Sequence, residues 1–80
     1  MIIKVLGSGC KNCKKLLENV KESVKELNIK AEVLYITDMM EIANSGLMRT
    51  PGLIFDNKIV SSGKVPSTDE IKQMIENFNK

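Results

Sequence analysis

The sequence contains no histidine, no tryptophan and only two cysteines among its 80 residues. A structural zinc site takes four ligands, chiefly cysteine and histidine, so one chain of this composition does not supply one. Zinc shared between two chains stays open as an alternative. Charge of one sign is also scarce. The formal net charge of +2 is too small to argue for nucleic acid or a membrane surface as partner. No apolar stretch approaches the roughly 20 residues that span a bilayer. Met1-Ile2-Ile3-Lys4-Val5-Leu6 is too short for a signal peptide and runs straight into the cysteines. Internal repeats, linkers and low-complexity segments are missing too, so residues 1–80 are expected to form a single domain. Such a small domain must use its core residues economically. The expectation is a cytoplasmic monomer without nucleic-acid or membrane partners.

What the chain does contain is Cys10-Lys11-Asn12-Cys13, placed between an apolar run and a helix-patterned run. Two cysteines three positions apart at the mouth of a helix have Cα atoms close enough for a disulfide. The same placement aims free helix amides and the positive dipole end at the first sulfur, favouring thiolate over thiol. A pair that can close, with one member poised to attack, is the minimal equipment for thiol–disulfide exchange. As a mere staple the pair is weak. So short a loop constrains the unfolded chain by only about 2 kcal/mol, against about 4.7 kcal/mol for a 100-residue loop. In the cytoplasm a C-x-x-C is more often catalytic or metal-binding than a permanent crosslink.

Ile2 to Leu6 reads as a central strand, apolar except for Lys4. Gly7-Ser8-Gly9 breaks it and lets the backbone turn. From Cys10 to Leu27 the apolar positions Cys13, Leu16, Leu17, Val20, Val24 and Leu27 form a helical stripe. Cys13 belongs to that stripe and should be shielded, whereas Cys10 at the N-cap should be reachable. Asn28 is a helix stop, and Ala31 to Ile36 is the next strand, joined to the first by a right-handed parallel crossover. Asp38-Met39-Met40-Glu41 has capping-box spacing and opens a short helix ending near Gly46, with Met39, Met40 and Met48 read as core filler. Gly52 to Phe55 and Lys58 to Ser61 form a hairpin about an Asp56-Asn57 turn. Ser67-Thr68-Asp69-Glu70 caps a last helix carrying Ile71, Met74, Ile75 and Phe78. The order is β-α-β-α-β-β-α: an α/β fold with a four-stranded mixed sheet flanked by three helices.

With Gly9-Cys10-Lys11-Asn12-Cys13 after the first strand, Arg49-Thr50-Pro51 before the hairpin and Gly63 before the last helix, the chain resembles a minimal member of the thioredoxin superfamily. Specifically, it resembles the small thioredoxin-like redox-active disulfide proteins of archaea and bacteria, and the likeness covers nearly the whole chain. It implies that Cys10 attacks and Cys13 resolves, with the Cys10–Cys13 disulfide as the redox centre and no other cofactor or metal. It also implies that the Thr50–Pro51 bond is cis, that Pro51 lies beside the disulfide, and that Thr50 offers backbone hydrogen bonds to substrate. The implied partners are disulfide-containing proteins and a reductase or dithiol donor. Thioredoxin itself carries Trp-Cys-Gly-Pro-Cys, where this chain has Lys11-Asn12 between its cysteines.

Lys11, Lys14 and Lys15 occupy helix positions where acids would favour stability. They are either a solvated face or a device that lowers the Cys10 pKa. A different class uses the same thiolates for soft-metal transfer, as in small copper-chaperone domains. Those run β-α-β-β-α-β and end on a strand, whereas this chain ends on a helical stripe. A third reading is a thioredoxin-fold binding module with idle cysteines.

Overall fold

The computed structural model describes residues 1–78 apart from Ser8, Cys10 and Met48. The chain runs β1 (Ile2–Leu6), α1 (Lys11–Leu27), β2 (Glu32–Ile36), α2 (Met39–Asn44), β3 (Gly52–Phe55), β4 (Lys58–Ser62) and α3 (Thr68–Phe78). The sheet order is β2-β1-β3-β4, with β1 parallel to β2 and the other neighbours antiparallel. This is the α/β arrangement of a minimal thioredoxin-like fold. Among the described residues no helix is long and apolar enough to cross a membrane.

Strand alternation divides the apolar residues between two faces. Ile3, Val5, Leu53 and Phe55 point to one side and pack with Leu16 and Val20 of α1 and Ile71 and Ile75 of α3. On the opposite side Leu6 and Ile54 meet Ile42 of α2, with Ile36 and Leu47 alongside. That second cluster is small because a six-residue helix covers only part of the face. Ile2 and Ile59 accordingly stay 42% and 45% exposed. Met39 and Met40 are 66% and 72% exposed, so they are not core filler. They sit in the first turn of α2, and Ile42 alone of that helix is buried. Met48 lies outside the described residues.

Local chemistry explains the element ends. Asn28 stops α1 in a left-handed conformation at φ 52°. Asp38 caps α2 by accepting the Met40 N–H at 2.9 Å. Ser67 and Glu70 form the reciprocal pair expected of a capping box: the Ser67 N–H donates to Glu70 Oε1 at 3.3 Å, and the Glu70 N–H donates to Ser67 Oγ at 3.2 Å. Asp56 and Asn57, at φ 47° and 72°, make the hairpin turn. Asp56 also receives the Ile2 N–H on its carboxylate at 2.7 Å, tying the turn to the start of β1. The β3–β4 register shifts between Leu53 and Ile54, and Val60 of β4 packs against the α1 and α3 side of the core.

One polar group is built into the helix pair. Ser23 in the middle of α1 is fully buried. Its hydroxyl lies 2.7 Å from the Asn19 carbonyl and 3.0 Å from that of Thr68 at the start of α3. One proton serves both acceptors, and Asn19 Nδ2 adds a bond of 3.0 Å to the Pro66 carbonyl. Ser23→Ala leaves the part-buried Thr68 carbonyl without that donor, so it is expected to cost about 1–2 kcal/mol. A denaturant midpoint lowered at unchanged slope checks this.

Candidate functional site

The C-terminal end of β1 and the N-terminal end of α1 meet where three other segments also end. Cys13 stands in the first turn of α1 and is fully buried. Its side chain lies on Gly7, the residue after β1. A Cβ at Gly7 would overlap the Cys13 sulfur and stand 2.8 Å from the Cys13 Cβ. Glycine is therefore needed here for close approach, not for a turn with positive φ, which is a different reason from the one the Gly-Ser-Gly stretch suggests. Gly9, at φ 87°, does supply the turn. The Gly7 N–H continues the parallel ladder to the Ile36 carbonyl at 3.0 Å.

Pro51 is brought to the same end by register. Gly52 pairs with Leu6 of β1 and with Ser62 of β4. One step beyond, the Pro51 carbonyl accepts the Gly63 N–H at 2.8 Å. Pro51 thus sits between the end of β1 and Gly63, buried, with Thr50 exposed beside it. The Thr50–Pro51 peptide bond is cis. Leu47 fills the space over Gly52, where a Cβ would stand 2.6 Å from Leu47 Cδ2. Cys10 lies outside the described residues.

Two side-chain contacts at this end are not specified by the sequence pattern. Tyr35 is paired with Val5 on β2, and its hydroxyl oxygen is shielded from solvent within 4.0 Å of where a Gly9 Cβ would be. Only the parallel crossover, which sets the end of β2 beside the start of α1, hints at that reach. Arg49 lays its stem on Gly63, whose Cβ would stand 3.0 Å from Arg49 Cβ and 3.1 Å from Cδ. Around these groups the surface is basic: Lys11, Lys14, Lys15, Arg49 and Lys64 are all exposed, and the first turn of α1 has no acid. A cleft of about 270 Å³ between α2 and the sheet, lined by Lys4, Leu6, Ile36, Glu41 and Ile54 among others, includes none of these groups. Among the described residues no three His, Cys, Asp or Glu side chains are placed to hold a metal ion.

The fold, the burial of Cys13 at a helix start and the proline segment beside it define a thioredoxin-type arrangement. The chain belongs to the thioredoxin-domain family, whose model matches residues 1–76. It is 44% identical over 78 residues to a protein named thioredoxin from Methanocaldococcus jannaschii, an overlap covering 98% of this chain and 90% of that one. It is 43% identical over 75 residues to another of that name from Methanothermobacter thermautotrophicus, covering 94% of this chain and 97% of that one.

Proposed function

We propose that Cys10 and Cys13 are the dithiol–disulfide couple through which this chain, a thiol–disulfide oxidoreductase of the thioredoxin class, exchanges electrons with disulfide-bearing proteins. The Cys10 thiolate attacks one sulfur of the substrate disulfide, and the other substrate sulfur leaves and takes a proton. The Cys13 thiol gives up its proton and attacks the Cys10 sulfur, releasing the second substrate thiol. Two electrons pass to the substrate, one proton comes from Cys13 and the other from solvent, and the protein is left with a Cys10–Cys13 disulfide. A dithiol reductant or a reductase returns it to the starting state. Thr50 and Pro51 are the docking segment, Thr50 exposed and Pro51 anchored at the sheet end.

The observation that carries this reading is the burial of Cys13 against Gly7 at the sheet end that also holds Pro51. A shielded resolving thiol cannot compete for incoming disulfides, which leaves attack to the cysteine three residues earlier. The test combines a two-electron midpoint potential with turnover of a disulfide substrate and the metal content of the protein as purified. The expected result is a reversible couple, lost when either cysteine is replaced. A tightly held soft metal with no turnover would instead favour the metal-transfer alternative.

Lys11, Lys14 and Lys15 fit this scheme as charges that favour the Cys10 thiolate. Each exposed cation near a helix N-terminus acts by a few tenths of a kcal/mol, equivalent to a few tenths of a pKa unit on a neighbouring thiol. Reversing Lys14 and Lys15 to Glu is expected to raise the Cys10 pKa, with the difference shrinking in high salt. The same change should stabilise the start of α1, because acids suit that helix end. Thiolate absorbance titrations at two ionic strengths decide it. An unmoved pKa would make these lysines a solvated face only.

A further inference from the structure

Arg49 is the only arginine in the chain, against eleven lysines. It directly precedes the exposed Thr50 and is itself exposed. The Cβ and Cδ of its side chain rest on Gly63. Gly63 donates its N–H to the Pro51 carbonyl at 2.8 Å, and the Ser62 hydroxyl lies 3.4 Å from the Arg49 carbonyl. The stem and the backbone that carries it are therefore both seated on the strand end that holds Pro51. Gly63 is at φ 71°, a conformation that favours glycine, and the missing side chain leaves the ledge on which the arginine lies.

The guanidinium itself makes no ion pair among the described residues, whose salt bridges both involve Lys72. Lys64, next to Gly63 in the chain, and Lys11, Lys14 and Lys15 in the first turns of α1 are exposed cations. An exposed guanidinium with five donors in a planar fork, seated and without a carboxylate, is equipped to receive one in a two-point contact. Because its stem already rests on Gly63, less side-chain freedom is lost when a partner arrives.

We propose that Arg49 is a specificity-determining residue: its guanidinium receives a carboxylate flanking the disulfide that docks on Thr50 and Pro51, so that acidic peptide disulfides are the preferred substrates. This rests on the redox reading above and adds the substrate class to it. The electron transfer is unchanged; Arg49 contributes to the encounter and to the mixed-disulfide geometry, not to bond making. Lys64 and the α1 lysines add a longer-range field of the same sign, which salt screens.

The experiment uses three synthetic peptide disulfides that differ only in their flanking residues, which are glutamate, serine or lysine. Turnover with a dithiol reductant is measured for the wild-type chain and for the Arg49→Lys and Arg49→Glu variants. The wild-type chain should show a higher kcat/KM for the glutamate peptide than for the lysine peptide. Arg49→Glu reverses one charge against both peptides, so the ratio should fall by about tenfold, the size expected of exposed ion pairs counted twice. Arg49→Lys keeps the charge but loses the fork, and should give an intermediate ratio. The effect should reside mainly in KM, and the wild-type preference should contract at high ionic strength. Glutathione disulfide, a small anionic substrate, serves as a fourth arm: a loss confined to the peptide assigns the carboxylate to a protein segment, and an equal loss extends it to small acidic disulfides. Wild-type turnover of the serine peptide with a glutamate-to-lysine ratio indifferent to Arg49 would overturn this proposal and leave the redox reading standing. Absence of turnover for every peptide would remove the redox reading, and the proposal with it.

Discussion

A Cys13→Ser variant is expected to accumulate mixed disulfides with its substrates, while Cys10→Ser forms none. The asymmetry follows from burial. Cys13 has no solvent exposure and lies against Gly7, inside the apolar stripe that continues through Leu16 and Val20. A disulfide arriving from solvent has no exposed surface of that sulfur to meet. Once the first mixed disulfide has formed, however, the buried thiol is an internal nucleophile. Well-oriented internal groups reach effective concentrations of about 10⁵ M or more, far above any thiol in solution. Replacing Cys13 should therefore slow release of product by a factor of at least about 10³ while leaving the first attack in place. Mass spectrometry of the trapped adduct and single-turnover kinetics read the two steps separately. In alkylation of the reduced wild-type protein, Cys10 should react much faster than Cys13. Equal alkylation rates would sink the assignment of attacking and resolving roles.

Gly7→Ala should damage the fold and the site together, although it adds only one methyl group. At an ordinary extended position, replacing glycine with alanine stabilises by about 0.4–1 kcal/mol through the unfolded chain. Gly7 takes no positive φ, so backbone strain does not oppose the change. Steric overlap does. The new Cβ would overlap the Cys13 sulfur and stand 2.8 Å from the Cys13 Cβ, and α1 is held on the sheet through Leu16 and Val20. Overpacking of this kind costs about 1–3 kcal/mol, which exceeds the gain and sets the sign. The displaced helix start should also expose Cys13, so its alkylation should quicken. A variant as stable as the wild type, with Cys13 still protected, would show that the approach of Cys13 does not require glycine at position 7.

The contrast between these positions shows how far residue patterns reach. The element order followed from periodicity, because an 80-residue chain with one apolar stripe per helix and short apolar strands has few ways to bury them. Capping chemistry placed the starts of α2 and α3 to the residue, since Asp38 and the Ser67–Glu70 pair act within one turn of chain. Cys13 was legible as a buried member of the α1 stripe for the same local reason. Met39 and Met40 were misread because apolar character alone does not say which side of a one-and-a-half-turn helix meets the sheet. Gly7 was read as a breaker, whereas its contact is with a side chain six residues away across a turn.

The site beyond the cysteines depended on partners far apart in sequence. Pro51 stands between β1 and Gly63 only because β3 is inserted antiparallel beside β1, and Arg49 lies on Gly63 only because the hairpin returns the chain to the same edge. Tyr35 reaches toward Gly9 through a parallel pairing that periodicity implies without specifying which side chain ends where. By itself the sequence determined what repeats or acts over a few residues: the periods, the caps, the turn and the burial of Cys13 in the α1 stripe. Tertiary structure alone decided which glycine had to be small, which polar groups share the redox end and which apolar side chains remain in water. Local patterns encode the direction of a side chain from its own backbone, whereas contact depends on the register and packing of segments tens of residues apart.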